Sequence, residues 1–202
     1  MATFLVTSLD DFGEGSLREA IVAANSAESP STIDFAVQGT ITLCSDLPAI
    51  TNQVTIDGTT APGYAGSAPV LAIDCNGHSG LVFDVGSDNS QLLGMAVDGA
   101  GGNGVMLIAG SITLNGNYIG LNLGGAAAGN AGDGVYVAAT SSNNLIGLNP
   151  SGTSDVVANV VSGNGGNGIS FHNSSGNTVV ANRIGTDPTG TWRSATAATG
   201  SG

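Results

Sequence analysis

Three copies of one glycine motif constrain this 202-residue chain more than any other feature. Gly102-Asn103-Gly104-Val105 returns as Gly132-Asp133-Gly134-Val135 and again as Gly166-Asn167-Gly168-Ile169. A second motif, Asn-x-(Ile/Val)-x-x-(Asn/Asp), alternates with it at Asn117–Asn122, Asn159–Asn164 and Asn182–Asp187. Self-similarity in fixed order, at a period of a few tens of residues, is the signature of stacked repeats. Inside each unit, apolar residues alternate: Val105 with Leu107, Ile112 with Leu114, Val135 with Val137, Ile169 with Phe171. Period-2 alternation over so short a run reads as a strand with one buried face. Gly and Asn recur too often for helix. Strands this short bury a face only by stacking unit on unit, which predicts a parallel β-solenoid.

The asparagines fit that architecture. One Asn per coil, at a fixed offset before Ile or Val, can donate to and accept from its counterpart in the next coil through its side-chain amide. Such ladders stabilise in-register parallel strands. We therefore expect a structural ladder of Asn117, Asn159 and Asn182, with Gly and Asn also supplying the left-handed backbone of the corners. The spacing is uneven, 42 residues and then 23. The surplus falls in 123–132 and 148–157, both rich in small and polar residues, which read as loops extruded from the coils.

Composition agrees. Hydrophobic residues make up 41% of the chain, enough for a core, whereas charged residues are only 9% against a usual value of about 25%. There are 33 glycines. The net charge is −12, with Arg18, Arg183 and Arg193 as the only strong bases and no lysine. That balance argues against nucleic acid and anionic membrane surfaces as partners. No run of about 18 apolar residues is present, so membrane insertion is not expected. Cys44 and Cys75 each end a strand-like run. They read as two buried free thiols, or as a bridge between coils worth roughly 3–4 kcal/mol in the loop-entropy model.

In chain order, a strand at about Thr3–Ser8 precedes the one clear helix, at about residues 16–26. Ser16 and Glu19 form its capping box, and Leu17, Ala20, Ile21 and Ala24 form its apolar stripe. Ahead of the first coil such a helix suits an N-terminal cap. Strands follow at 32–37, 40–43, 53–57, 70–74, 81–85 and 92–97, with a longer loop at 59–67 that carries Tyr64 at its middle. We divide the chain into an N-terminal strand and capping helix (1–31), β-helix coils (32–193) and a featureless tail (194–202) in which no C-terminal cap is visible.

Gly15-Ser-Leu-Arg-Glu-Ala-Ile21 after an N-terminal strand, Ile56-Asp-Gly-Thr-Thr-Ala-Pro-Gly63, and the later Asn159–Asn164 and Asn182–Asp187 motifs resemble bacterial right-handed parallel β-helix surface and secreted proteins, with their pectate-lyase-like solenoid fold. The resemblance covers most of residues 3–191. It implies the right-handed sense and an extracellular or cell-surface location; many such proteins have no assigned activity.

Few side chains are left for chemistry. Asp57, Asp74 and Asp98 share an apolar-Asp context and would lie about 4.8 Å apart if they aligned on successive coils. A carboxylate row of that kind could bind Ca²⁺ or serve as a catalytic pair, with Asp84 a further candidate; alternatively, each Asp caps its own turn. Arg183 is the one strong base inside the repeats and the candidate lyase base, or else a solvated surface residue. His78 and His172 lack a second histidine at ligand spacing, so a zinc site is not expected. The sequence thus predicts an all-β, right-handed parallel β-helix. Its expected function is that of a non-catalytic structural or adhesive module of an extracellular bacterial protein. It would need no cofactor unless Ca²⁺ occupies the Asp row, and would associate through an uncapped C-terminal end with further coils or a second copy. The alternative is a polysaccharide-binding or polysaccharide-degrading β-helix, with a groove lined by Tyr64 or Tyr118.

Overall fold

The computed structural model describes residues 1–28, 30–147 and 158–191 of the chain. After β1 (Ala2–Val6) and α1 (Leu17–Asn25), the chain winds through successive coils. The first holds β2 (Ser31–Phe35) and β3 (Gly39–Thr42). The second holds β4 (Val54–Asp57), β5 (Leu71–Asp74) and β6 (Leu81–Phe83), and the third β7 (Gln91–Leu93), β8 (Ala96–Asp98) and β9 (Val105–Leu107). The fourth holds β10 (Thr113–Asn115), β11 (Tyr118–Ile119) and β12 (Val135–Val137), and the fifth β13 (Leu145–Gly147), β14 (Val160–Val161) and β15 (Ile169–Phe171). Then come β16 (Thr178–Val180) and β17 (Arg183–Ile184).

From β4 onward every third strand pairs, and all the strand pairs are parallel. Sheet A runs β1-β2-β4-β7-β10-β13-β16, sheet B runs β3-β5-β8-β11-β14-β17, and sheet C runs β6-β9-β12-β15. Three all-parallel sheets fed in rotation make a parallel β-helix. A single bridge from Ile50 to Phe83 extends sheet C toward the N-terminal end. The inward positions line up row by row: Ile33, Ile56, Leu92, Leu114 and Ile146 in sheet A; Ile41, Ile73, Val97, Ile119 and Val161 in sheet B; Leu81, Val105 and Val135 in sheet C. All are buried. A one-residue slip would turn each row out to solvent, so the alternation fixes the register.

Ser16 caps the helix, but Glu19 reaches back to Gly15 N–H and not to Ser16 N–H, which donates to Gly13 O (3.1 Å). Glu19 N–H donates to Ser16 Oγ (3.3 Å), Gly15 N–H donates to Glu19 Oε2 (3.2 Å), and Leu17, Ala20, Ile21 and Ala24 are buried. The 92–97 expectation is corrected. Gly94, at φ 62°, breaks that run into β7 and β8 on different sheets. An apolar run with one left-handed glycine is a coil corner, which strand periodicity alone does not register. The loop expected at 148–157 and the stretch from Trp192 onward, including the 194–202 tail, lie outside the described residues.

Asparagine rows stitch the corners together. Asn159 Oδ1 accepts from Asn117 N–H (2.9 Å) and from Asn117 Nδ2 (3.1 Å), Asn159 Nδ2 donates to Asn182 Oδ1 (2.9 Å), and Asn117 Oδ1 accepts from Met95 N–H (3.0 Å). The same device recurs at three further places. Asn130 and Asn164 join at 2.9 Å, Asn144 and Asn177 at 2.8 Å, and Asn103, Asp133 and Asn167 are linked through backbone N–H groups at 2.8 and 2.6 Å. Asn117 and Asn159 are fully buried, so each satisfied amide avoids a penalty of about 1–3 kcal/mol per orphaned group.

Candidate functional site

The three aspartates expected in one row divide between two sheets. Asp57 ends β4 in sheet A, where its Cα partner is Asp34; Asp74 and Asp98 end β5 and β8 in sheet B and are partners of each other. The expected row is therefore corrected to a pair plus an outlier. The shared apolar-Asp context marks the end of an outer-facing strand in whichever sheet it falls. Asp57 and Asp74 cap turns. Asp57 Oδ1 accepts from Thr59 N–H (3.0 Å) and Thr59 Oγ1 (2.5 Å), and Asp74 Oδ1 accepts from Asn76 N–H (2.9 Å). Asp98 differs. It is 6% exposed, and among the described residues no hydrogen bond reaches its carboxyl group. Burial first, and the Asp74 charge second, push its pKa up to about 6. Gly99 stands beside the pair, where a Cβ would lie 2.7 Å from Asp74 Oδ1. Asp84 lies half-buried after β6 and accepts from Val85 N–H (2.7 Å).

Sheet B is covered on the outside as well. Ala72, Ala96, Tyr118, Leu121 and Val160 form a second apolar cluster outside the coil interior, with Ala68 and Leu123 against it. The extruded 123–132 stretch supplies part of that cover. Leu121 bridges Ala127, Gly99 N–H donates to Ala128 O (3.0 Å), and Ala128 N–H donates to Gly120 O (3.0 Å). Tyr118, expected at a groove, is instead buried at 5% exposure, because outward on a strand does not mean solvated when a loop lies over it. The Tyr64 hydroxyl is buried without a partner among the described residues, and burial raises its pKa. Arg183 is exposed, as its alternation predicts, and its Nη1 donates to Pro188 O in its own following turn.

The cysteines are free, which answers the bridge expectation. Cys75 is buried, but Cys44 is exposed, correcting the reading of two buried thiols. Thr42 pairs with Asp74, so Leu43, not Cys44, stands level with Cys75. In a period-2 strand that single offset turns the two thiols to opposite faces. Burial, helped by the Asp98 and Asp74 charges, pushes the Cys75 thiol up to about 12.

Sheet C presents an accessible set of functional groups. Its outward row is Val82, Met106, Tyr136 and Ser170, all half-buried and in register. The exposed His172 ring stacks on Tyr136, with centroids 4.3 Å apart and planes 24° from parallel. Beside them Asp133 Oδ2 accepts from Ser170 Oγ (2.5 Å), and Asp133 Oδ1 accepts from Asn167 Nδ2 (3.2 Å). An aromatic pair next to fixed acceptors and donors is equipped to hold an amphipathic, hydroxyl-rich ligand. Sequence reading missed this patch because its members are unremarkable singly. The signal lay in the repeat itself, since aligning the Gly-x-Gly motifs puts Asp133 and Asn167 at one corner and Tyr136 and Ser170 on one row.

Among the described residues no group of three or more His, Cys, Asp or Glu side chains is arranged to hold a metal ion, and no helix is long and apolar enough to cross a membrane.

No protein-family model matches the chain. Over 60 residues, 30% of this chain, the sequence is 43% identical to Probable pectate lyase C of Emericella nidulans; the matched stretch spans 13% of that protein.

Proposed function

We propose that this chain is a non-catalytic, adhesive β-helix module that binds polysaccharide along the outer face of sheet C. The observation that carries the reading is the stacked Tyr136–His172 pair beside the Asp133, Ser170 and Asn167 hydrogen-bonding group. Aromatic rings offer apolar faces to the C–H surface of a sugar, and the neighbouring polar atoms match its hydroxyls. Four strands at about 4.8 Å spacing give a strip of roughly 14 Å, suited to an extended chain of sugars. The candidates for chemistry have other occupations: Asp57 and Asp74 hold turns, Asp98 is buried, and Arg183 is tied to Pro188. An extracellular location belongs to the same reading and is supported by the resemblance to surface β-helix proteins and by the partial match to a pectate lyase.

Gel-shift or calorimetric binding to a polysaccharide panel tests it. Binding should fall at least ten-fold in Tyr136→Ala and His172→Ala with unchanged melting temperatures. Retained binding in both variants would overturn the strip.

The partial match favours a second reading, polysaccharide cleavage. Incubation with polygalacturonate and Ca²⁺, followed by absorbance of unsaturated products, separates the two. We expect no turnover, and steady product formation would establish the second reading in place of the first.

A further inference from the structure

The sheet C strip also carries information about the charge of its ligand. Resting on the binding role proposed above, we infer that the strip takes an uncharged polysaccharide and discriminates against polyuronates.

The chain has a net charge of −12 and no lysine. The two arginines among the described residues lie elsewhere: Arg18 is paired with Asp11 at 2.6 Å in the N-terminal cap, and Arg183 is on sheet B, bonded to Pro188. Arg193 lies outside the described residues. On the strip itself the fixed charge is negative. Asp133 stands at its edge, at the corner just before β12, with Asp84 directly after β6 and Asp88 in the turn that follows. Asp133 already accepts from Asn167 N–H, Asn167 Nδ2 and Ser170 Oγ, which holds it in one orientation as an acceptor-only group. Sugar hydroxyls are donors and satisfy such an acceptor. A uronate brings a second carboxylate to the same place, and like charges within a Debye length of about 8 Å repel. The remaining members, Val82, Met106, Tyr136 and the Asn167 amide, carry no charge, and His172 is counted neutral at pH 7. The patch is therefore complementary to a neutral, hydroxyl-rich face.

A matched pair of ligands isolates charge from shape: polygalacturonate, and the same polymer fully methyl-esterified. Laminarin and galactomannan serve as further neutral probes. Binding is measured by calorimetry, once with chelator and once with added calcium. The expected result is that at least one neutral polymer binds, and that the ester binds at least ten-fold more tightly than the acid under both conditions. In Asp133→Asn, which keeps the acceptor for Asn167 N–H, the gap between ester and acid should narrow. Binding of the acid as tightly as the ester, with or without calcium, and lost in Tyr136→Ala, would overturn the charge selectivity while leaving the binding strip standing. Failure of every polymer, neutral or acidic, would overturn both. Tight binding of the ester that is unchanged in Tyr136→Ala and His172→Ala would move the site off sheet C and also overturn the inference.

Discussion

Two rows of polar side chains, built by the same stacking, behave in opposite ways. At the corner between sheets A and B, Asn117, Asn159 and Asn182 repeat one above another. On the outer face of sheet B, Asp74 and Asp98 repeat in the same manner. Parallel in-register strands bring like residues to within about 4.8 Å whatever they are. An amide both donates and accepts, so each copy satisfies the next. An ionised carboxylate only accepts, so each copy repels the next, and burial compounds the penalty. The asparagine row bonds throughout; the aspartate pair leaves the Asp98 carboxyl without a hydrogen bond among the described residues and with its pKa pushed up to about 6. A solenoid rewards repetition only of groups that complement themselves.

The largest effect should come from breaking the amide row. Asn159→Ala strands the Asn117 N–H, the Leu114 carbonyl and the Asn182 amide at once, and Asn159 is fully buried. At about 1–3 kcal/mol per orphaned buried group, the loss should be roughly 3–9 kcal/mol, toward the lower end because Asn182 is only half-buried, read as a fall in the denaturant midpoint. Asn182→Ala, at the half-buried end of the row, should cost distinctly less. Equal losses would mean that the row does not act as a ladder.

The aspartate pair should respond in the other direction. A carboxyl whose folded pKa exceeds its unfolded value favours the folded state most when protonated. Its contribution is complete below about 3.8 and is lost as pH rises through about 6. Asp98→Asn should therefore stabilise the protein by about 2–3 kcal/mol at pH 7.5, since it removes a carboxyl held at about 6 against an ordinary 3.8. The gain should shrink toward zero by pH 3.5. Melting of wild type and variant across that range checks both sign and window; a variant less stable at pH 7.5 would contradict it. Asp74→Asn removes only the second cause of the shift, since burial is the first. The titration midpoint of Asp98, followed by carboxyl NMR, should fall but stay above 3.8.

The smallest effect leaves stability alone. A thiol reagent at pH 8 should modify Cys44 and spare Cys75 in the native state, and modify both in denaturant. Two reactive native thiols would contradict the alternation that puts them on opposite faces.

The fold was legible because it repeats. Alternating Val105/Leu107 and Val135/Val137 marked strands, and Asn117, Asn159 and Asn182 marked a corner, since one spatial need recurs at a fixed place in sequence. The Ser16 helix cap was equally local. What did not show was which sheet a strand joins. Asp57, Asp74 and Asp98 share a context, but sheet membership depends on counting corners, and Gly94 adds one inside an apolar run. Loop cover was hidden as well. Nothing near Tyr118 in sequence announces that Leu121 and Leu123 fold back over it. The Tyr136–His172 contact joins adjacent coils and emerged only once the register was known.

Amide hydrogen exchange tests the stacking account most directly. Met95, Ala100, Ile112 and Asn117 give their N–H groups to side-chain oxygens of the next coil, not to backbone carbonyls. If the side-chain rows are structural members, these four amides should exchange as slowly as those of the flanking strands, Ile119 and Leu114 among them. Exchange as fast as that of the exposed Gly102 amide would show that the rows do not hold the coils together.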